Sequence, residues 1–139
     1  MPSLVERRTA VRSLALACAV LAAGCTGGDL ARYDVSGRVT YRGQPVPAGT
    51  IIFEPDDSKG NEGPQGIAPI VQGRYDTSQG GKGTVGGPHR VTILGCDGVT
   101  ISETSPQGKT LFEPYSTTAE LPRAKGTVDF DVPAGGGSL

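Results

Sequence analysis

The sequence has no tryptophan, one histidine, one methionine and three cysteines in 139 residues, and its aromatic content is 5%. With so few large aromatics, any hydrophobic core is modest. A zinc centre needs several His or Cys ligands, and a Ser-His-Asp site needs a positioned serine with a base, so one histidine supplies neither. That residue, His89, begins a β-type run, where a rim or surface position is expected. There is no block of like charge and no internal repeat, which argues against a polybasic arm and a solenoid. The formal charge is −1 with Lys and Arg scattered. Such a chain has no electrostatic footprint for nucleic acid. From residue 25 onward no window carries apolar residues at helical spacing. What the chain does have is 22 glycines and 11 prolines, placed between short β-branched runs as a turn-rich β protein requires.

Arg7, Arg8 and Arg12 precede an apolar stretch from Leu14 to Ala23. That stretch falls short of the roughly 20 apolar residues needed to span a bilayer core. A basic start, a short apolar middle and small residues at the end describe a helical signal peptide over residues 1–24. The end, Leu21-Ala22-Ala23-Gly24-Cys25, resembles a bacterial lipobox, with Ala22 where leucine is the favoured residue. The resemblance implies cleavage between Gly24 and Cys25 and lipidation of the Cys25 thiol. Two or three acyl chains, at about 0.8 kcal/mol per buried CH₂, would make the anchor effectively permanent. Thr26 in place of Asp after that cysteine implies the outer membrane as destination, within the cell envelope. Loss of Glu6, Arg7, Arg8 and Arg12 with the leader takes the formal charge from −1 to −3. Cys18 leaves with the leader and Cys25 carries lipid, so Cys96 has no disulfide partner within the chain. Cys96 is expected as a half-buried small hydrophobe rather than a reactive thiol.

Residues 25–33 read as a Gly-rich tether, 34–133 as the domain and 134–139 as a flexible tail. Val35 to Tyr41 alternates, with Val35, Gly37, Val39 and Tyr41 on one face. Arg42-Gly43 is a tight turn, and Pro45 and Pro47 forbid a central strand there. Strands are expected at Thr50–Glu54, Ile67–Val71, Arg74–Asp76 and His89–Leu94. Weaker segments lie at Val99–Ser102, Phe112–Pro114 and Thr117–Leu121. Thr127–Val132 closes the domain as one strand, with Val128, Phe130 and Val132 inward. The reading is all-β: a single two-sheet sandwich of about seven antiparallel strands. Its core is expected to hold Val35, Val39, Ile51, Phe53, Ile67, Tyr75, Val91, Ile93 and Phe130.

The run Val35-Ser36-Gly37-Arg38-Val39-Thr40-Tyr41, then Arg42-Gly43-Gln44-Pro45-Val46 and Ala48-Gly49-Thr50-Ile51-Ile52-Phe53, resembles the opening of carboxypeptidase regulatory-like domains. These are transthyretin-like, Ig-like sandwiches common in bacterial envelope proteins. Gly73-Arg74-Tyr75 and Gly87-Pro88-His89-Arg90-Val91-Thr92-Ile93 resemble that module's next hallmarks. The resemblance implies an accessory, spacer or binding module rather than an enzyme, and no cofactor. Transthyretin-like hydrolases use several histidines and a tetrapeptide ending in serine, and the Gly-Gly-Gly-Ser-Leu tail does not match. A small hydrolase using His89 is the least supported reading. The implied partners are the membrane, through the lipid, and an envelope protein or glycan. An alternative is a structural subunit joined to an assembly through an edge strand.

Two motifs are set aside on context. Gly81-Lys82-Gly83-Thr84-Val85-Gly86 has the spelling of a dinucleotide loop, but a strand follows where a helix N-terminus is needed. Asp56, Asp57, Asn61 and Glu62 could attract Ca²⁺, yet Lys59 stands where a ligand is expected, so a solvated loop is favoured.

Overall fold

The computed structural model describes residues 30–135. The described residues form nine strands: β1 Val35–Tyr41, β2 Gln44–Pro45, β3 Ala48–Pro55, β4 Gly66–Val71, β5 Arg74–Asp76, β6 Gly87–Cys96, β7 Tyr115–Leu121, β8 Gly126–Thr127 and β9 Phe130–Val132. Among the described residues the only helical element is one 3₁₀ turn, Asp57–Lys59. No described helix is long and apolar enough to cross a membrane. The expected signal peptide, Gly24 and Cys25 lie outside the described residues.

The two tightest turns follow from local chemistry. Arg42 and Gly43 have φ of 52° and 75°, and Gln72 and Gly73 have 50° and 74°. Two successive positive φ values match the right-handed twist of a hairpin, and glycine removes the penalty at the second. These turns join β1 to β2 and β4 to β5.

The strands run β2-β1-β5-β4-β3-β6-β7 in one sheet, antiparallel at every step. β3 is its spine, paired with β4 over six residues and with β6 over eight. Period-two alternation turns Ile51 and Phe53 inward, beside Val91 and Ile93 of β6 and Ala68 and Ile70 of β4. The sheet curls so that β9, at one edge, packs over its middle strands. The Phe130 ring of β9 lies 6.3 Å from Phe53 of β3 and 6.1 Å from Tyr75 of β5.

The curl corrects the expected architecture at its closing segment. Residues 127–132 do not form one antiparallel strand. They split into β8 and β9, both parallel to β1, pairing Val35 with Gly126 and Val39 with Phe130. Between them the Val128 N–H donates to the Ser36 carbonyl at 2.9 Å. The Arg38 N–H donates instead to the Asp129 carboxylate at 2.8 Å. A side chain thus replaces a backbone acceptor, which satisfies β1 while the chain bulges. Val128, expected inward, is only half-buried.

Ile67 was expected in the core and is 37% exposed, while Ala68 and Ile70 take the inward positions. Both parities of Ile67-Ala68-Pro69-Ile70-Val71 are apolar, so alternation alone does not choose the face. The β3 register chooses it, pairing Ala68 with Ile51. Pro69 is tolerated for a related reason. On the edge of β4 away from β3, Ile67 exchanges both backbone bonds with Lys82, and β5 pairs only with Ile70 and Val71. Pro69 falls in the gap between these partners, where no N–H is required.

Val99–Ser102 forms no strand, only an isolated bridge from Ser102 to Ser105. The weak Thr117–Leu121 segment is part of a full seven-residue strand, paired with β6 from Gly87 to Ile93. Phe112 joins the core through ring contact with Tyr41 at 4.7 Å.

Candidate functional site

The outward positions of β1 are Ser36 and Arg38, and those of β5 are Arg74 and Asp76. Antiparallel register sets Arg38 directly beside Arg74 and Ser36 beside Asp76. β4 adds Pro69 and Val71 on one flank, and Thr127 and Asp129 close the other. Together with Gln79 they line an open groove of about 680 Å³ on the outer face. Its floor is the β1–β5 ladder, held from beneath by Tyr75, whose hydroxyl donates to the Val128 carbonyl at 2.6 Å.

The charges in this groove are unevenly committed. Asp129 accepts the Arg38 backbone N–H through Oδ1. Asp76 accepts both the N–H and the hydroxyl of Ser78 through Oδ1, at 2.9 and 2.6 Å. Those Ser78 bonds, the hydroxyl first, hold the Asp76 carboxyl below its ordinary value, so it stays ionised. Neither guanidinium has such a partner. Both arginines are exposed, and among the described residues neither side chain makes an ion pair or hydrogen bond. Two like charges directly opposite on a ladder are normally unfavourable.

Other candidate residues are placed differently. His89 is not at a rim but 1% exposed, on the inner face with Val91 and Ile93. Period two puts His89 on the face of Val91 and Ile93, and the strand begins two residues earlier, at Gly87, so His89 is not at its end. Its Nδ1 lies 2.9 Å from the Gly87 carbonyl. A carbonyl only accepts, so Nδ1 carries a proton there, and Nε2 has no described partner. No carboxylate or hydroxyl among the described residues bonds either ring nitrogen.

The acidic loop is more ordered than a solvated loop requires. Asp56 and Asn61 are buried, whereas Asp57 and Glu62 are exposed. Asn61 donates to the carbonyls of Gly86 and Pro88 at 3.0 and 2.7 Å. Asp56 accepts the Ser58 hydroxyl and sits 3.9 Å from Lys59. Lys59 therefore serves as a counter-charge. Among the described residues no three His, Cys, Asp or Glu side chains converge as a metal set. The Gly81–Gly86 segment leads straight into β6, with Thr84 bridged to Tyr33. Cys96, half-buried at the end of β6, forms no disulfide among the described residues.

The paired arginines were not singled out from the sequence. Each stands at an outward position of a legible strand, but their adjacency depends on β1 lying beside β5, a long-range choice. The chain matches no protein-family model and no curated protein.

Proposed function

We propose that this protein is a lipid-anchored component of the bacterial cell envelope, a non-enzymatic binding module displayed from the outer membrane through Cys25. The anchor rests on the basic start, the short apolar stretch and the Ala23-Gly24-Cys25 ending. The binding half is carried by one observation: the outer groove presents two uncommitted arginines on a rigid ladder. In this reading the curled sheet is a transthyretin-like sandwich of the carboxypeptidase regulatory-like kind, β1, β8 and β9 closing over β3 and β6. The ring cluster of Phe53 on β3, Tyr75 on β5 and Phe130 on β9 supports it.

Intact mass spectrometry of membrane-extracted protein tests the anchor. The expected species begins at Cys25 and carries acyl chains, and Cys25→Ser leaves the membrane fraction. A mature chain without acyl mass overturns the anchor. A glycan array and a detergent pull-down test the binding half, which fails if neither yields an envelope component.

A second reading, a structural subunit joined by edge pairing, is favoured by the asymmetry of the sheet. One edge ends in β8 and β9, two and three residues long and stopped by Pro133. The other is β7, seven residues with no Pro or Lys, paired on one side only among the described residues. Glu120 and the flanking Pro114 and Pro122 protect its ends, and the stretch Tyr115–Ala119 between them carries no charge or proline. Thr118→Lys is expected to weaken any association seen by light scattering. A strictly monomeric protein with nothing co-purifying from membranes overturns this reading.

A further inference from the structure

We infer that the groove recognises an acidic saccharide, a hydroxyl-rich ligand whose carboxylate or phosphate is clamped between the guanidiniums of Arg38 and Arg74. This rests on the binding-module reading above and names the ligand class for that site.

The register makes Arg38 and Arg74 cross-strand partners, which places their Cβ atoms roughly 5 Å apart on one face. Each guanidinium is a planar fork suited to two oxygens of one oxoanion. Neither is spent on a protein acceptor among the described residues. Asp76 and Asp129, the nearby carboxylates, are each turned to a backbone N–H by one oxygen. The second oxygen of each has no protein donor among the described residues, so it can accept from a ligand hydroxyl.

The mixture selects among anions. A densely charged polyanion such as a nucleic acid would meet Asp76 and Asp129 as well as the arginines, on a chain whose formal charge is −1. An apolar peptide would need side-chain pockets, and here Pro69 and Val71 are the exposed apolar side chains, beside Ser36, Gln79 and Thr127 and a Tyr75 that is almost wholly buried. A sugar with one acidic group and several hydroxyls uses both halves of the lining.

The test titrates the full-length chain, held in detergent, with four probes. They are a galacturonate trisaccharide, a hexose phosphate, the neutral galactose trisaccharide and inorganic phosphate. Calorimetry gives affinity, and the arginine Nε–H resonances report the site. An acidic saccharide is expected to bind at least tenfold more tightly than its neutral counterpart and than inorganic phosphate, and to shift Arg38 and Arg74. Arg38→Gln and Arg74→Gln are each expected to lose at least tenfold with unchanged circular dichroism, and Arg38→Lys to lose less. Preference for the galacturonate assigns the group as carboxylate, and preference for the hexose phosphate assigns it as phosphate. Equal binding of acidic and neutral saccharides, unaffected by either Gln variant, overturns the clamp but leaves a binding module. Inorganic phosphate binding as tightly as the acidic sugars overturns the saccharide assignment. Silence with all four probes overturns the clamp. The binding reading itself falls only if the glycan array and pull-down are also blank.

Discussion

At the scale of single residues, Arg38 and Arg74 break a local rule, since like charges directly opposite on a ladder repel. Arg74→Gln is expected to stabilise the domain by about 0.2–1 kcal/mol, read as a higher urea midpoint, while weakening ligand binding. Tyr75 reports on burial in another way. Burial first, and the Asp129 charge second, push its hydroxyl above the ordinary value of 10.0. The unfolded chain ionises near that value and the folded chain resists, so the contribution is complete below pH 10.0 and lost as pH rises further. Tyr75→Phe should cost about 1 kcal/mol near neutrality, for the lost bond to Val128, and should remove this alkaline loss from melts run across the pH range. Asp56 and Asp76 behave oppositely. The Ser58 and Ser78 hydroxyls hold their carboxyls below 3.8, so stability present above that value is lost as the pH falls below it. Ser58→Ala and Ser78→Ala should each flatten the acid limb. The arginine and carboxylate identities were legible in the chain, but their neighbours were not, because partners distant in sequence meet only through strand order.

At the scale of elements, turns and alternation were the most legible features. The Arg42-Gly43 and Gln72-Gly73 turns show how far that legibility goes. A Cβ at Gly43 would meet nothing within 4 Å, whereas at Gly73 it would lie 2.4 Å from Pro45 Cβ. Both positions have positive φ, so Gly43→Ala should cost about 1–2 kcal/mol and Gly73→Ala clearly more, in thermal unfolding. Gly37 is a different case. The alternation of β1 shows only a small residue in line with Val35 and Val39. In the fold a Cβ there would stand 2.0 Å from the Val128 carbonyl oxygen. Gly37→Ala is therefore expected to be among the most damaging single changes in β1, by roughly 1–3 kcal/mol or more, because the bulge between β8 and β9 must move. β4 marks the opposite limit of legibility. Apolar residues at both parities left its face open until pairing with β3 decided it.

At the scale of the whole molecule, closure depends on the last strands reaching the first. β9 pairs with β1 across some ninety positions, Val39 with Phe130, a connection whose loop-closure entropy is offset only when the ring cluster forms. Phe130→Ala is expected to cost about 3–5 kcal/mol and to lower the urea midpoint equally by circular dichroism and by tyrosine fluorescence, one transition in each. Separate transitions would mean that the closing strands unfold alone. Parity with Val91 and Ile93 turns His89 inward, and it escapes the rim because β6 stays paired with β7 back to Gly87. The chain by itself determined its class. Alternating β-branched runs, glycines at turns needing positive φ and the absence of any helical stripe leave an all-β domain as the consistent outcome. Only the tertiary structure decided strand order, the parallel closure and the meeting of Arg38 with Arg74. Period-two patterning says which side of a strand is dry, but neighbours are chosen by hydrogen bonds and packing between residues far apart along the chain.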